Sequence, residues 1–179
     1  DLWVMDLQYE RNFRLTQKSG VYLGPVWSRD SERLMFVCQP KGVQDLCVRS
    51  LREGGDMELL FASPNWKTSG SWMPDGRSVL FDEQDPETNR DLKMLNLSDK
   101  PESRVLLATP FDEEYPEASP DGRWVAYVSN ETGRAEVDVR PVSGSFEQWQ
   151  ISTAGGQQPR WRGDGRELFY RSDGGDAFH

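Results

Sequence analysis

The chain has 179 residues, enough for one domain of ordinary size, and its 30 acidic and 21 basic side chains give a net charge of −9. This balance argues against nucleic acid and anionic lipid as partners, because both need a basic surface. Only 36% of the residues are hydrophobic, and no apolar run approaches the roughly 18 residues of a membrane-spanning helix. The single histidine, His179, is the last residue, so no imidazole is expected in a catalytic triad or a zinc site.

In chain order, the predicted elements are short strands that recur with a period of about 45 residues. No signal peptide opens the chain, and the first strand pattern begins at once, so we expect a processed or excised piece of a longer protein. An Asp/Glu-Leu/Val-x-Val/Met pattern begins at Asp1, Asp45, Asp91 and Glu136. A second pattern, Trp/Ala-x-x-Asp, is centred on Asp30, Asp75, Asp121 and Asp164, which lie 45, 46 and 43 residues apart.

Each repeat predicts four short strands, A to D in chain order, with the alternation of apolar and polar residues that is typical of half-buried strands. Asp75-Gly76 and its two later copies predict hairpin turns between strands A and B, because glycine accepts a positive φ. Ser31 replaces this glycine in the first unit, where we expect a different turn geometry. Four-stranded units of this length stack radially in a β-propeller, so the predicted fold class is all-β.

Residues 1–179 are predicted to form one propeller domain or a propeller fragment, with about four blades' worth of sequence. The parts are a half blade at 1–16, whole blades at about 21–60, 65–107 and 112–153, and a half blade at 156–171. Two arrangements stay open: the half blades close on each other into a four-bladed ring, or they present unpaired edges. Unpaired edges would allow a homodimer to form through the edge blades.

Several repeated residues are predicted to be structural. Trp27, Trp72 and Trp161 share one repeat position, so we expect them to pack between adjacent blades. Asp75, Asp121 and Asp164 are interpreted as turn residues, since carboxylates in different blades lie too far apart for paired catalysis.

Acidic runs at 82–87 and 112–114 contain oxygen ligands that calcium prefers, but we interpret them as solvated loop charge because the first lacks the spacing of a calcium loop. No metal or cofactor is expected.

Cys38 and Cys47 flank the predicted B–C hairpin of the first whole blade. A cross-strand disulfide is geometrically conceivable there, and an exported location would permit it. The sequence favours two buried thiols.

The segments Trp72-Met-Pro-Asp-Gly-Arg77 and Asp91-Leu-Lys-Met-Leu-Asn-Leu97 resemble the WD-like repeats of the TolB β-propeller, and matching segments cover essentially all 179 residues. Residues 119–133 and 149–170 are most similar to the C-terminal propellers of bacterial serine/threonine kinases and related regulators. The resemblance implies a periplasmic or other extracytoplasmic module that binds proteins or peptides over one end of its channel. It also implies six blades, whereas this chain has material for four.

The loops that precede the strands A vary between units on a constant framework, which is where binding residues usually lie. The predicted ligand-binding residues are Tyr22, Trp66, Lys67, Glu114, Tyr115 and Gln158. Trp66 is the best candidate for an exposed aromatic anchor. We therefore expect a non-catalytic module that binds a protein or peptide. The alternatives are an accessory propeller of a prolyl-oligopeptidase-like peptidase or receptor-type kinase, and a partial propeller that completes a ring with a second chain.

Overall fold

The computed structural model describes residues 1–17, 20–39, 42–52, 55–143 and 147–172. The regular structure in these ranges consists of β-strands, and none of the described residues form a helix able to cross a membrane. The strands are β1 (Trp3–Asp6), β2 (Arg11–Arg14), β3 (Tyr22–Trp27), β4 (Arg33–Cys38), β5 (Asp45–Ser50), β6 (Met57–Phe61), β7 (Lys67–Trp72), β8 (Ser78–Asp85), β9 (Asn89–Asn96), β10 (Glu102–Leu107), β11 (Glu113–Ala118), β12 (Trp124–Ser129), β13 (Glu136–Pro141), β14 (Trp149–Gln150), β15 (Gln157–Trp161) and β16 (Leu168–Arg171).

Three four-stranded antiparallel sheets follow one another along the chain and confirm the all-β prediction. We call them the first blade (β3–β6), the second blade (β7–β10) and the third blade (β11–β14). Strands β1 and β2 form a separate two-stranded sheet, as do β15 and β16. The two pairs do not hydrogen-bond to each other within the described residues, so they do not form one four-stranded sheet there. A homodimer through the edges stays a prediction.

The turns between the first two strands of each unit follow the Asp-Gly prediction. Asp75 accepts a hydrogen bond from the amide of Arg77 at 2.9 Å, and Gly76 has a φ of +65°. Ser31 takes the same left-handed conformation at a φ of +59°. Its amide donates to the Ser28 carbonyl at 2.9 Å, as the Gly76 amide donates to Met73. The expected difference in turn geometry was therefore wrong, because the hydrogen bonds of this turn hold even a serine in that conformation.

The repeated tryptophans differ in burial although they share a repeat position. Trp72 is 4% exposed, and its indole donates to the Val26 carbonyl of the first blade at 3.1 Å. Trp161 donates in the same way to the Glu117 carbonyl of the third blade at 3.1 Å. Trp27 is 48% exposed, which contradicts the prediction for that residue. The preceding described sheet contains β1 and β2 but no inner strand for Trp27 to pack against.

Cys38 and Cys47 are buried but form a disulfide bond between β4 and β5, so the preference for two buried thiols was wrong. The strand register pairs Cys38 with Asp45 and Phe36 with Cys47. The two cysteines are therefore diagonal neighbours on one face of the sheet, with their Cα atoms 5.8 Å apart, which is within disulfide range.

Candidate functional site

Strands β3, β7, β11 and β15 contact one another in sequence and form the inner wall of the series. Each has a register shift in its middle that marks a β-bulge. Tyr115 and Gln158 lie in two of these bulges with φ angles of +54° and +52°. Such left-handed residues before proline are strained, and strain of this kind persists where the surrounding structure holds it. The bulges therefore present side chains at fixed positions on the inner wall.

Trp66 lies on the loop that leads into β7, and its side chain is 49% exposed. Its carbonyl accepts a hydrogen bond from the Gln84 amide at 2.8 Å, and the next residue, Lys67, is fully buried. The indole is therefore exposed although its own carbonyl is hydrogen-bonded and the next residue is buried. Its predicted role in binding stays a prediction.

Lys67 cannot contact a ligand on the surface, and its assignment to the binding loops was wrong. Its ammonium group donates to three main-chain carbonyls, at 2.6 to 3.2 Å, and lies 3.6 Å from the carboxylates of Asp45 and Glu83. These contacts compensate for the desolvation of the charge, although burial still lowers the pKa of Lys67 below its ordinary value. Lys67 therefore stabilises the contact between the first and second blades.

Glu114 and Tyr115 belong to a network that joins the second and third blades. Asp82 accepts the Tyr115 amide hydrogen at 3.2 Å and pairs with the Arg90 guanidinium at 2.6 Å. Arg90 also pairs with Glu114 at 3.0 Å and donates to the Thr68 hydroxyl at 3.0 Å. Arg90 therefore connects Thr68 near the start of β7, two residues after Trp66, with the start of β11, which carries Glu114 and Tyr115.

Tyr22 and Gln158 lie apart from this network. Tyr22 is half-buried and packs edge-on against Phe36, with ring centroids 5.8 Å apart. It begins β3 and lines a cavity of about 370 Å³ together with Leu15, Arg49 and Met57, beside β5 and β6. Gln158 is exposed on β15, next to Pro159. The structure thus joins Glu114 and the Tyr115 backbone through Asp82 and Arg90 to Thr68, two residues after Trp66, whereas Tyr22 lines a separate cavity.

The acidic runs are partly buried, so their interpretation as solvated loop charge was wrong for three residues. Asp82, Glu83 and Glu113 are each at most 3% exposed. Burial raises the pKa of Asp82 to about 6, against the opposing effect of Arg90, and raises the pKa of Glu113 to about 7. Asp82 and Glu83 continue the apolar run of β8, and this continuity was the signal in the sequence that they enter the sheet.

A cleft of about 300 Å³ lies further along the inner wall and includes Trp27, Arg29, Gly70, Glu117 and Arg160. Glu117 pairs with Arg160 at 3.3 Å, and burial raises the pKa of Glu117 to about 7 although Arg160 and Arg29 oppose this shift. The cleft combines an exposed aromatic ring with two guanidinium groups. Sequence reasoning missed it because Glu117 and Arg160 come together only when the third blade meets β15.

A family model described as the TolB beta propeller domain matches residues 1–163. No curated protein matches the chain. The structure of TolB from Acinetobacter baumannii aligns with a TM-score of 0.80 at 17% identity, covering 96% of this chain and 43% of that one. A putative TolB from Agrobacterium tumefaciens aligns with a TM-score of 0.69 at 18% identity, covering 98% of this chain and 78% of that one.

Propellers within enzymes are also similar. Prolyl oligopeptidase B from Galerina marginata aligns with a TM-score of 0.68 at 13% identity, covering 90% of this chain and 24% of that one. At these identities the likeness shows the fold alone. The chain spans less than half the length of the Acinetobacter protein. The special similarity to kinase propellers stays a prediction.

Proposed function

The chain belongs to the TolB β-propeller domain family, and on that premise we propose that it is a non-catalytic module that binds a protein or peptide. The proposed surface consists of the loops into β7 and β11, with Trp66 and Tyr115 as aromatic anchors. The observation that supports the proposal is the Arg90 network, which joins the start of β7 to the start of β11, together with the hydrogen bond from the Gln84 amide to the Trp66 carbonyl. Preformed loops favour binding because little conformational entropy is lost on association.

The chemistry of this surface suits a peptide. Trp66 and Tyr115 supply large apolar area with few rotatable bonds, and residues of this kind are enriched at binding hot spots. Glu114 and Arg90 are partly exposed beside them and provide polar groups at the rim. A polar rim around aromatic anchors is typical of protein interfaces.

An extracytoplasmic location is part of the proposal. The Cys38–Cys47 disulfide supports it, because disulfides persist in oxidising compartments and are rare in the cytosol. The family membership supports the same location.

Peptides selected from a phage-displayed library against the folded protein provide the test. The double variant Trp66→Ala/Tyr115→Ala is expected to weaken their binding by at least about 10-fold, as measured by titration calorimetry. Trp149→Ala is the matched control, since this indole is 44% exposed on β14, the outer strand of the third blade. Unchanged affinity in the double variant, or an equal loss in the control, would contradict the proposed surface.

A second candidate function is an accessory propeller that gates or senses for a catalytic domain elsewhere in a longer protein. The similarity to the propeller of prolyl oligopeptidase B favours it, because that match covers only 24% of the enzyme. The complete reading frame decides between the two: a hydrolase Gly-x-Ser-x-Gly motif or a kinase catalytic loop would favour the accessory function.

A further inference from the structure

The interface between the first and second blades contains a cation enclosed by oxygen atoms. The Lys67 ammonium donates to the carbonyls of Gln44, Ser63 and Asn65 and pairs with the carboxylates of Asp45 and Glu83. Glu83 also pairs with the Lys93 ammonium at 2.5 Å. The two carboxylates are thus matched by two ammonium groups, and the buried charge is balanced.

The next interface repeats this geometry with the opposite charge. Glu113 begins β11 as Lys67 begins β7, and Asp91 takes the place of Asp45 in the third strand of its blade. The preceding turn is also the same. The Asn65 amide donates to the Ser63 hydroxyl at 3.2 Å, and the Phe111 amide donates to the Thr109 hydroxyl at 3.2 Å. The main-chain carbonyls of the turn are therefore expected in equivalent positions.

Glu113 and Asp91 are 1% and 3% exposed, and each has a buried carboxylate oxygen without a hydrogen-bond partner, Oε2 of Glu113 and Oδ1 of Asp91. The other Glu113 oxygen accepts from the Thr109 hydroxyl. Asp45 Oδ1 also lacks a hydrogen bond, but the Lys67 ammonium lies 3.6 Å from it.

Most of the charges that act on the pair are acidic. Asp112 and Asp91 both raise the pKa of Glu113 beyond the effect of its burial. Burial, Asp85 and Glu83 raise the pKa of Asp91 above its ordinary value, whereas a hydrogen bond with the Thr88 side chain and the charge of Lys93 oppose this shift. The Lys93 ammonium is already paired with Glu83. Two like charges buried together without a counterion are unfavourable.

We propose that a calcium ion binds between Asp91 and Glu113, in the position that the Lys67 ammonium takes one repeat earlier. Calcium prefers oxygen ligands in flexible arrangements, and its charge balances the two carboxylates. The described residues contain no group of three His, Cys, Asp or Glu side chains arranged to hold a metal ion. The proposed ligand set is therefore completed by the main-chain carbonyls of Arg90, Thr109 and Phe111, which the repeat makes equivalent to the carbonyls around Lys67. Magnesium binds less well because it requires strict octahedral geometry.

Thermal unfolding with and without calcium tests the site. At saturating calcium, the Tm of the wild type is expected to rise by about 5 °C or more relative to EGTA, with a smaller effect of magnesium. Glu113→Lys rebuilds the lysine arrangement of the preceding interface, so it is expected to fold and to lose the calcium response. Glu58→Lys makes the same charge change on an exposed position of β6 and is expected to keep the response.

Several results would overturn the proposal. One is a wild-type Tm that calcium does not change, and another is a calcium response that survives in Glu113→Lys. If that variant does not fold, Glu113→Gln replaces it, and an undiminished calcium affinity in Glu113→Gln counts against the site. A wild type that becomes more stable as the pH falls through about 7, without a calcium response, would assign a shared proton to the pair instead.

Discussion

Trp72 and Trp27 occupy the same repeat position, yet their replacement by alanine is expected to have very different consequences. Trp72→Ala should lower the free energy of unfolding by about 3–5 kcal/mol, the usual range for a buried aromatic residue. Trp27→Ala should lower it by less than about 1 kcal/mol, because its indole is 48% exposed whereas that of Trp72 is 4% exposed. Comparing the two variants separates the contribution of the repeat position to stability from the contribution of the contact with the preceding inner strand.

The expected loss of stability in Trp72→Ala has two sources, packing and a hydrogen bond. The ring lies in a core cluster with Val79, Phe81 and Leu95, and the Arg33 guanidinium lies 4.4 Å above it. The indole N–H also donates to the Val26 carbonyl at 3.1 Å. Trp72→Phe keeps much of the packing but leaves this carbonyl without its donor, so we expect a loss of about 1–2 kcal/mol.

Urea unfolding followed by far-UV circular dichroism measures these differences without relying on tryptophan fluorescence. In thermal unfolding, each kcal/mol corresponds to about 2–4 °C in Tm for a domain of this size. A loss at Trp27→Ala as large as that at Trp72→Ala would refute the reasoning. It would mean that the residue at this position stabilises its own blade and not the contact between blades.

Two further predictions concern strain and buried charge. Ser31→Gly should stabilise the fold by about 0.5–1 kcal/mol, because Ser31 has a φ of +59°; a lower Tm would show that its side chain makes a stabilising contact. Asp138 is buried, and burial together with Glu131 and Glu136 raises its pKa from 3.8 to about 6. Its folded-state pKa exceeds the unfolded one, so its ionisation destabilises the fold as the pH rises through this interval. Asp138→Asn should add about 1–3 kcal/mol in urea unfolding at about pH 8 and little at about pH 4, and an equal gain at both would contradict this.

The features that the sequence predicted correctly are local or strictly periodic. The Asp75-Gly76 turn depends on one carboxylate and one positive φ within three residues, so its sequence is sufficient to specify it. The all-β fold follows from strand patterns that recur with one period. Ser31 shows the limit of this reasoning, since a residue that disfavours the left-handed region still adopts it when the framework of the turn is unchanged.

The errors arose where a side chain's environment is supplied by another strand or blade. Predicting the disulfide required the register of β4 and β5. This register makes Cys38 and Cys47 diagonal neighbours and not a directly opposed pair. The expected burial of Trp27 required an inner strand that the preceding described sheet does not contain. Neither condition is visible in the residues themselves.

Lys67 shows why the candidate site was only partly predictable. A lysine beside an exposed tryptophan is typical of a surface loop, yet its ammonium is enclosed by oxygens from the neighbouring blade and from its own loop. The informative comparison is across blades, where one position is occupied by Lys67 and then by Glu113, opposite Asp45 and then Asp91. A charge reversal at a buried position requires a new counter-charge, because the cost of an unpaired buried charge is severe. Trp66 differs from Lys67 in burial: its indole is 49% exposed, whereas the adjacent lysine is buried in the interface between the first and second blades.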